Sequence, residues 1–215
     1  MLFPVYLKLN AVRCLVVGGG AVAERKVLAL LETGCFITVV APAISPVLTE
    51  LNEQGLITVY QQEFTDDCLT ELQTGRSLVF AATNDEDVNH QIFEQADRRG
   101  LMVNVVDDPE YCSFFVPAVV RRGDLSIAVS TGGRSPLLAR RLREKLEVDF
   151  GPEYAIWVEI LGECRARVLK SALNETDRKE VFKELIDSDL LSLLKEGKID
   201  QVRERVDECL WSWSV

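Results

Sequence analysis

A glycine-rich segment near the start of the chain has the residue types and the spacing of a phosphate-binding turn. It reads Gly18-Gly19-Gly20-Ala21-Val22-Ala23, a G-x-G-x-x-A motif between a predicted strand and a predicted helix. Glycine lets the backbone approach a pyrophosphate closely, and the N-terminus of the following helix favours its negative charge. The motif predicts a dinucleotide site, although a glycine turn without a ligand, or with another nucleotide, would have the same local sequence.

The end of the second predicted strand lacks one part of the usual dinucleotide site. An acidic residue at this point often binds the adenine ribose. Here the strand is followed by Ala41-Pro42-Ala43, with neither a carboxylate nor an arginine for a 2′-phosphate. These residues alone therefore leave the choice between NAD and NADP open.

Polar residues follow the fourth and fifth predicted strands, at the edge where open α/β sheets bind their ligands. Thr83 and Asn84 come after the fourth strand, where they can contact a cofactor and can also cap the next helix. Asp107 and Asp108 come directly after the fifth strand. A carboxylate beside a nicotinamide can take a proton as a hydride leaves. An Asp-Asp-Pro turn without a catalytic role accounts for the same two residues.

A basic island lies between residues 113 and 145 of an otherwise acidic chain. It contains seven Lys or Arg and two Asp or Glu, a net charge of +5, whereas the whole chain carries −10. Within it, Thr131-Gly132-Gly133-Arg134-Ser135-Pro136 can form a backbone nest for an anion at the start of a helix. The island indicates a pocket for a polyanionic substrate, with a solvated basic helix face as the alternative.

The helix that follows this nest is predicted to be amphipathic. Its apolar side chains, Leu138, Leu142 and Leu146, recur at helical spacing and are predicted to form a buried stripe. The remaining arc of the helix then carries its basic side chains, Arg140, Arg141 and Arg143.

Side chains for histidine-based or metal-based catalysis are scarce. His90 is the only histidine and is predicted to be a surface residue. The six cysteines are scattered, form no CxxC pair and have no histidine nearby. This pattern favours reduced thiols in a cytosolic protein over a disulfide or zinc framework. No metal site is predicted.

Strand and helix patterns alternate through the first half of the chain, and these elements must position the motifs above. Five short apolar strands separated by helical stretches predict a parallel, doubly wound α/β sheet that is covered on both faces. Two β-rich runs, residues 114–120 and 125–131, flank Arg121-Arg122-Gly123-Asp124 and predict an antiparallel hairpin. From Ser135 onward the hydrophobic period is helical. We therefore expect an α/β domain at 1–112, a hairpin-plus-helix segment at 113–149 and a helical domain at 150–215.

Composition and charge exclude several classes of protein. The 215 residues are 47% hydrophobic and 27% charged, which is typical of a globular protein with a substantial core. The excess of acidic residues makes the surface a poor partner for nucleic acid or anionic lipid. No apolar run approaches the roughly 20 residues of a membrane helix. The first residues lack the pattern of a signal peptide, so a cytoplasmic protein is expected.

The motifs together resemble one family, precorrin-2 dehydrogenase/sirohydrochlorin ferrochelatase, in the stand-alone form of the N-terminal module of sirohaem synthase. The resemblance covers essentially the whole chain and is strongest over residues 3–146. Its glycine motif occurs in many Rossmann proteins, but the combination with the later motifs is specific. The matching segments begin with Phe3-Pro-Val-Tyr-Leu7 and Val16–Lys26, and continue with Ala82-Thr-Asn-Asp85, Asn104-Val-Val-Asp107, Ser113-Phe114 with Pro117, and Ser130–Pro136.

The resemblance implies a Rossmann domain, an intertwined dimerisation segment and a C-terminal helical domain in a homodimer. It implies that NAD oxidises precorrin-2 to sirohydrochlorin and, in many members, that Fe²⁺ is then inserted to give sirohaem. By position, Ala21, Val22, Pro42 and Ala43 are implied to contact NAD, and Asp107 to be the acidic residue central to catalysis. The basic island would then bind the carboxylates of the tetrapyrrole, through Arg134, Ser135, Arg140 and Arg141. The preceding methylation activity is not expected of this chain.

Two alternatives to the bifunctional enzyme stay open at this point. The chain could be a dehydrogenase only, with a separate chelatase for iron. It could also be a non-catalytic nucleotide-sensing module, which would need neither Asp107 nor the basic island. A dehydrogenase for small acids usually needs a catalytic histidine or lysine near the cofactor, and the lone His90 disfavours that reading.

Overall fold

The first half of the chain folds as a parallel sheet because its strands are apolar on both faces. A computed structural model, which describes residues 1–214, has β1 (Arg13–Val17), β2 (Phe36–Val40), β3 (Thr58–Tyr60), β4 (Leu78–Ala81) and β5 (Met102–Val105). The strand order is β3-β2-β1-β4-β5, with every neighbouring pair parallel. Successive strands are added toward one edge up to β3 and toward the other edge from β4, so the strand order reverses between β1 and β4. The prediction of a doubly wound α/β sheet is confirmed.

Helices cover both faces of this sheet. They are α1 (Ala21–Leu31), α2 (Pro46–Glu53) and α3 (Glu86–Arg98). Val16 and Val39, which are neighbours in register, face a core shared with α1 and α2. Leu15 and Val79 face the opposite core, which includes Ile92 of α3. The alternation along each strand therefore fixes the sheet rigidly between its two helical layers.

A second compact unit begins at Pro117. It contains a hairpin of β6 (Ala118–Arg122) and β7 (Leu125–Val129), followed by five helices. These helices are α4 (Pro136–Asp149), α5 (Glu153–Lys170), α6 (Glu175–Asp187), α7 (Leu190–Lys195) and α8 (Ile199–Ser212). The last four helices share a core of buried side chains that includes Trp157, Val181, Leu190, Val202 and Leu210.

The first strand of the hairpin begins later than the sequence predicts. The predicted run starts at Phe114, whereas β6 starts at Ala118. The ring of Phe114 packs edge-on against Phe80, with centroids 5.5 Å apart, and so completes the core of the first unit. Pro117 has no backbone N–H to donate to a strand partner. Packing in the first unit and this proline together delay the strand.

The predicted buried stripe on α4 is wrong in part. Leu138 and Leu142 remain 49% and 41% exposed, and the buried residue of the helix is Ala139. Leu146 is half-buried. The helix packs against β6 and β7, and a two-stranded hairpin is too narrow to cover a whole helical stripe. The apolar arc of α4 is therefore left largely uncovered within one chain.

The six cysteines are free thiols, of which Cys14, Cys35 and Cys164 are buried. Across residues 1–214, every helix is too short or too polar to span a lipid bilayer.

Candidate functional site

A cleft of about 1010 Å³ lies at the C-terminal ends of β1, β2 and β4. The glycine turn after β1, the loop after β2 and the turn between β4 and α3 form its walls. This is the position next to the reversal of strand order where doubly wound sheets bind ligands. Six of the predicted cofactor residues line it, namely Gly18, Gly20, Pro42, Ala43, Thr83 and Asn84.

The glycines of the turn have two different roles. Gly18 has a φ of +126°, and a Cβ there would lie 2.2 Å from the carbonyl oxygen of Ala82. A Cβ on Gly19 would lie 1.9 Å from the carbonyl oxygen of Ala43. These two glycines are therefore required by the close approach of neighbouring backbone. A Cβ on Gly20 would meet no protein atom within 4 Å, so this glycine keeps space in the cleft open.

The remaining two predicted cofactor residues begin α1. Ala21 is exposed, whereas the side chain of Val22 packs against the core of the first unit. Contact between Val22 and a ligand would therefore involve its backbone. The first N–H groups of a helix have no intrahelical acceptor, and they are directed at the cleft from its glycine side. The cleft thus has space for a pyrophosphate beside a helix N-terminus.

The turn after β4 is held by hydrogen bonds of its own. The hydroxyl of Thr83 donates to Oδ1 of Asn89 at 2.8 Å, and the backbone N–H of Thr83 donates to the same oxygen at 3.1 Å. Asp85 caps α3 by accepting from the N–H of Val88 at 3.1 Å. Asn84 is exposed at the rim of the cleft. Of the two predicted roles, Thr83 thus supports the start of the helix, and Asn84 is open to a ligand.

Sequence reasoning missed one acidic residue of the cleft. Glu63 follows β3 and lines the cleft together with Phe64, on the side where the acidic residue after β2 is lacking. The described residues that line this cleft include no lysine or arginine. The sequence signal for Glu63 was an acidic residue shortly after the third strand, five residues beyond the start of β3. Its position in the cleft follows only from the parallel pairing of β2 and β3.

Asp107 lies beyond the end of β5 and outside the walls of this cleft. Its side chain is exposed, and its backbone has a φ of 60°. The ammonium of the half-buried Lys26, on α1, interacts electrostatically with Asp107 and Cys112. Burial lowers the pKa of the Lys26 ammonium and repulsion from Arg25 lowers it further, whereas Cys112 and Asp107 raise it. The Lys26 ammonium also lies 5.6 Å from the centroid of the Phe80 ring.

The residue after Asp107 carries a contact that the sequence did not predict. Nε2 of His90 lies 2.8 Å from Oδ2 of Asp108, and the imidazole stacks on the ring of Tyr111. The histidine that was predicted at the surface is 32% exposed, and it has two partners that the sequence did not indicate.

The basic island lies in the second unit. Ser135 caps α4, its hydroxyl accepting from the N–H of Leu138 at 3.3 Å, and Arg134 is exposed in the turn before it. Arg140 pairs with Glu144 at 2.8 Å, whereas Arg141 is exposed on the same helix. The nest predicted there includes Gly132 and Gly133, with φ of 62° and 79°.

Two other arginines of the island are committed to the fold. Arg122 donates to the carbonyl oxygens of Glu147 and Phe150, at 3.0 and 2.8 Å, and so caps the C-terminus of α4. Arg143 pairs with Glu147 at 2.6 Å. Within residues 1–214, no group of three or more His, Cys, Asp or Glu side chains is arranged to hold a metal ion.

Comparison with known proteins identifies the family of both units. Residues 5–118 match a family of NAD(P)-binding domains, and residues 122–148 match the central segment of sirohaem biosynthesis proteins. Siroheme synthase of Acinetobacter baylyi is 38% identical over 214 residues, which cover 100% of this chain and 46% of that protein. Siroheme synthase of Photorhabdus laumondii is 35% identical, with 96% and 43% covered. The chain thus spans less than half the length of these relatives.

Among solved structures, SirC, a precorrin-2 dehydrogenase, matches with a TM-score of 0.77 and 30% identity. The match covers 94% of this chain and 100% of SirC. It extends over the parallel sheet, the hairpin and the C-terminal helices, so the predicted fold class is confirmed. The glycine turn and its cleft lie within the residues that match the NAD(P)-binding family. The chain belongs to the NAD-binding family of sirohaem biosynthesis that includes precorrin-2 dehydrogenase and siroheme synthase.

Proposed function

We propose that the protein is an NAD-dependent precorrin-2 dehydrogenase, which oxidises precorrin-2 to sirohydrochlorin. The observation that carries this proposal is the likeness to SirC over the whole length of that enzyme. The match of residues 122–148 to the sirohaem central segment supports the same substrate class. The open space beside Gly20 supports the use of a dinucleotide.

In this mechanism, NAD supplies the hydride acceptor. The N–H groups at the start of α1 would hold its pyrophosphate, and Asn84 and Pro42, which line the cleft, would border it. The oxidation removes two hydrogens from the macrocycle: bound NAD would supply the acceptor for the hydride, and the carboxylate of Asp107 would accept the proton.

The carboxylates of the substrate are proposed to bind the basic island. Arg134 and Arg141 are exposed, and Ser135 stands at the start of α4, where the helix dipole favours an anion. Arg140 has one carboxylate partner, Glu144, for which a substrate carboxylate would compete. The proposed substrate site therefore consists of Arg134, Ser135, Arg140 and Arg141.

Insertion of Fe²⁺ into sirohydrochlorin is proposed as a second activity of the same chain. Iron would be a transient substrate, since chelation needs a group that accepts the pyrrole protons more than it needs a protein metal cage. Asp107 can accept those protons as well. The competing proposal is a dehydrogenase whose product goes to a separate chelatase.

We further propose a homodimer in the cytoplasm, with residues 1–112 for NAD, 113–149 for dimerisation and 150–215 as a helical domain. The exposed leucines of α4 support the dimer, because apolar side chains on a helix face are stabilised by a partner. The six free thiols support a reducing compartment.

The test is turnover of precorrin-2, generated in situ, with NADH absorbance as the readout. We expect NADH to form in proportion to sirohydrochlorin. NAD binding without any turnover would contradict the proposal and favour a nucleotide-sensing module. A second, anaerobic arm supplies sirohydrochlorin and Fe²⁺ without NAD and follows the sirohaem spectrum. A rate no faster than in a protein-free control would limit the chain to the dehydrogenase step.

A further inference from the structure

The turn that carries Asp107 has a backbone conformation that needs support. Asp107 has a φ of 60°, in the left-handed region that residues with a Cβ rarely adopt. Aspartate tolerates this region better than most residues, but only neighbouring contacts make such a conformation persist. The turn directly follows the buried strand β5 and ends in the short 3₁₀ turn Pro109–Tyr111. The contacts that hold it therefore decide where the Asp107 carboxylate lies.

One side chain of α3 contacts the turn at two places. Nε2 of His90 lies 2.8 Å from Oδ2 of Asp108, the residue next to Asp107. The imidazole also stacks on Tyr111, with ring centroids 3.8 Å apart and planes at 14°. The ring of Tyr111 in turn meets that of Phe93 edge-on at 5.2 Å. His90 thus joins both ends of the segment 108–111 to one helix.

Other bonds near this segment hold its backbone without His90. The Cys112 thiol lies 3.1 Å from the carbonyl oxygen of Val105 and 3.2 Å from that of Asp108. Asn104 donates through Nδ2 to the carbonyl oxygen of Phe114 at 3.0 Å. These bonds fix where the chain leaves β5. None of these three bonds involves the Asp108 side chain, which contacts His90.

The exposure of the His90 and Asp108 side chains indicates that their contact positions the turn more than it stabilises the whole fold. The side chains of His90 and Asp108 are each 32% exposed. Pairs with this degree of contact with water contribute little to the free energy of unfolding. A contact that stabilises the fold weakly but fixes both ends of a strained turn acts mainly on the local geometry.

We propose that His90 is a positioning residue that holds the turn of Asp107 through Asp108 and Tyr111. The inference rests on the proposed function, because it takes the Asp107 carboxylate to be the proton acceptor. Loss of the imidazole would allow the turn to relax and the carboxylate to move away from the macrocycle. Catalysis falls in that case, whereas the NAD cleft, which contains neither residue, is unaffected.

The experiment compares His90→Ala, Asp108→Ala and the double variant in the full chain, with His90→Gln as the conservative variant. Glutamine keeps an N–H donor near the position of Nε2 but lacks the stacked ring. Asp97→Asn, which removes an exposed carboxylate two turns further along α3, is the matched control. The readouts are kcat, the KM for NAD, and amide hydrogen exchange of residues 106–112.

We expect kcat to fall about 10-fold in each single variant with an unchanged KM for NAD. The double variant should be no worse than His90→Ala, because His90→Ala already removes the contact with Asp108. Exchange of residues 106–112 should rise about fivefold in His90→Ala and less in His90→Gln. Asp97→Asn should match the wild type in all three measurements.

Unchanged exchange in both His90 variants would overturn the inference whatever the activity. Raised exchange with a wild-type kcat would overturn it as well, since the geometry of the turn would then not matter. A His90→Ala chain that unfolds globally, while His90→Gln behaves like wild type in exchange and kcat, would assign the histidine to the fold instead. If Asp107→Asn keeps its turnover, the failure belongs to the proposed function, because the exchange measurement does not depend on Asp107 chemistry.

Discussion

Asp107 combines an exposed carboxylate with a backbone that is fixed in a left-handed turn. An acceptor of protons needs both access and a defined position. Lys26 adds a half-buried cation that interacts with this carboxylate. These properties make Asp107 the residue at which the proposed chemistry is most directly testable.

We expect Asp107→Asn to lower turnover of precorrin-2 by about 100-fold or more, the usual contribution of a general base. Asparagine also tolerates the left-handed region, so the turn should keep its shape. The dissociation constant for NAD and the thermal unfolding temperature should therefore change little. Steady-state kinetics and calorimetry measure both.

Glu110→Gln is the control, since it removes an exposed carboxylate from the same turn. Asp108 does not serve this purpose because it pairs with His90. Turnover of Asp107→Asn within a factor of two of wild type would exclude a general base at this position. Loss of the fold together with activity would assign a structural role.

Glu63 lines the cleft, and we expect it to give the cleft a preference between the two nicotinamide dinucleotides. A 2′-phosphate would meet this carboxylate, and the described lining offers no lysine or arginine to neutralise it. We therefore expect NADP to bind at least about 10-fold more weakly than NAD in titration calorimetry. Glu63→Arg should narrow that difference, and Glu53→Arg, an exposed charge reversal on α2, should not. Equal affinity of the wild type for both cofactors would contradict this role.

Single residues were predictable from the sequence where the chemistry is local. The glycine motif and Thr83-Asn84 indicated the cleft, because each follows its own strand directly. His90 and Glu63 were not predicted. His90 reaches a partner 18 positions away, and Glu63 reaches the cleft only through the pairing of β2 with β3. Such contacts depend on how elements pack, which no local pattern contains.

At the scale of elements, the glycines of one turn serve different purposes: some are required for folding and one leaves space for a ligand. Gly18 and Gly19 are enclosed by backbone carbonyl groups, whereas Gly20 faces open space. Substitutions at neighbouring positions of one turn should therefore have opposite consequences for stability and for binding.

We expect Gly20→Val to raise the dissociation constant for NAD about 10-fold or more, because its side chain would occupy the approach of the pyrophosphate. Its cost to stability should be only about 1 kcal/mol, since Gly20 precedes α1 and valine is a poor helix cap. Gly18→Ala should instead lower the unfolding temperature markedly, because of its positive φ and the Ala82 carbonyl. Titration calorimetry and thermal unfolding separate the two. Unchanged NAD affinity in Gly20→Val would move the cofactor elsewhere.

The elements themselves were predicted best where the strands are buried on both faces. β2 spans the predicted residues Phe36–Val40, and the parallel order followed from alternation with helices. The hairpin strand was predicted four residues too early because the apolar Phe114 resembles a strand residue, whereas its ring packs against Phe80 in the first unit. Periodicity identifies an apolar side chain but not the core that it joins.

At the scale of the whole molecule, the uncovered arc of α4 bears on the proposed homodimer. Leu137 and Leu138 are 62% and 49% exposed, and Leu142 is 41% exposed on the same helix. The leucine pattern correctly indicated an apolar face. It could not indicate that the covering surface is missing within one chain.

We expect light scattering to give twice the 24.1 kDa of a single chain. Leu142→Glu should produce a monomer, because a buried carboxylate in an apolar interface is costly. Leu169→Glu is the control, since Leu169 is 49% exposed on α5 and lies outside the arc of α4. A wild-type chain that stays monomeric at high concentration would rule out the dimer, and so would a Leu142→Glu dimer of unchanged affinity.

A chain with one histidine offers a spectroscopic consequence. The imidazole of His90 gives the only pair of histidine ring-proton signals in the NMR spectrum of this protein. Stacking on Tyr111 places those protons in the shielding region of an aromatic ring, so their chemical shifts report the stacked geometry directly. The turn beside Asp107 can therefore be observed in the unlabelled wild-type protein, at natural abundance, while the proposed substrate and cofactor are added in sequence.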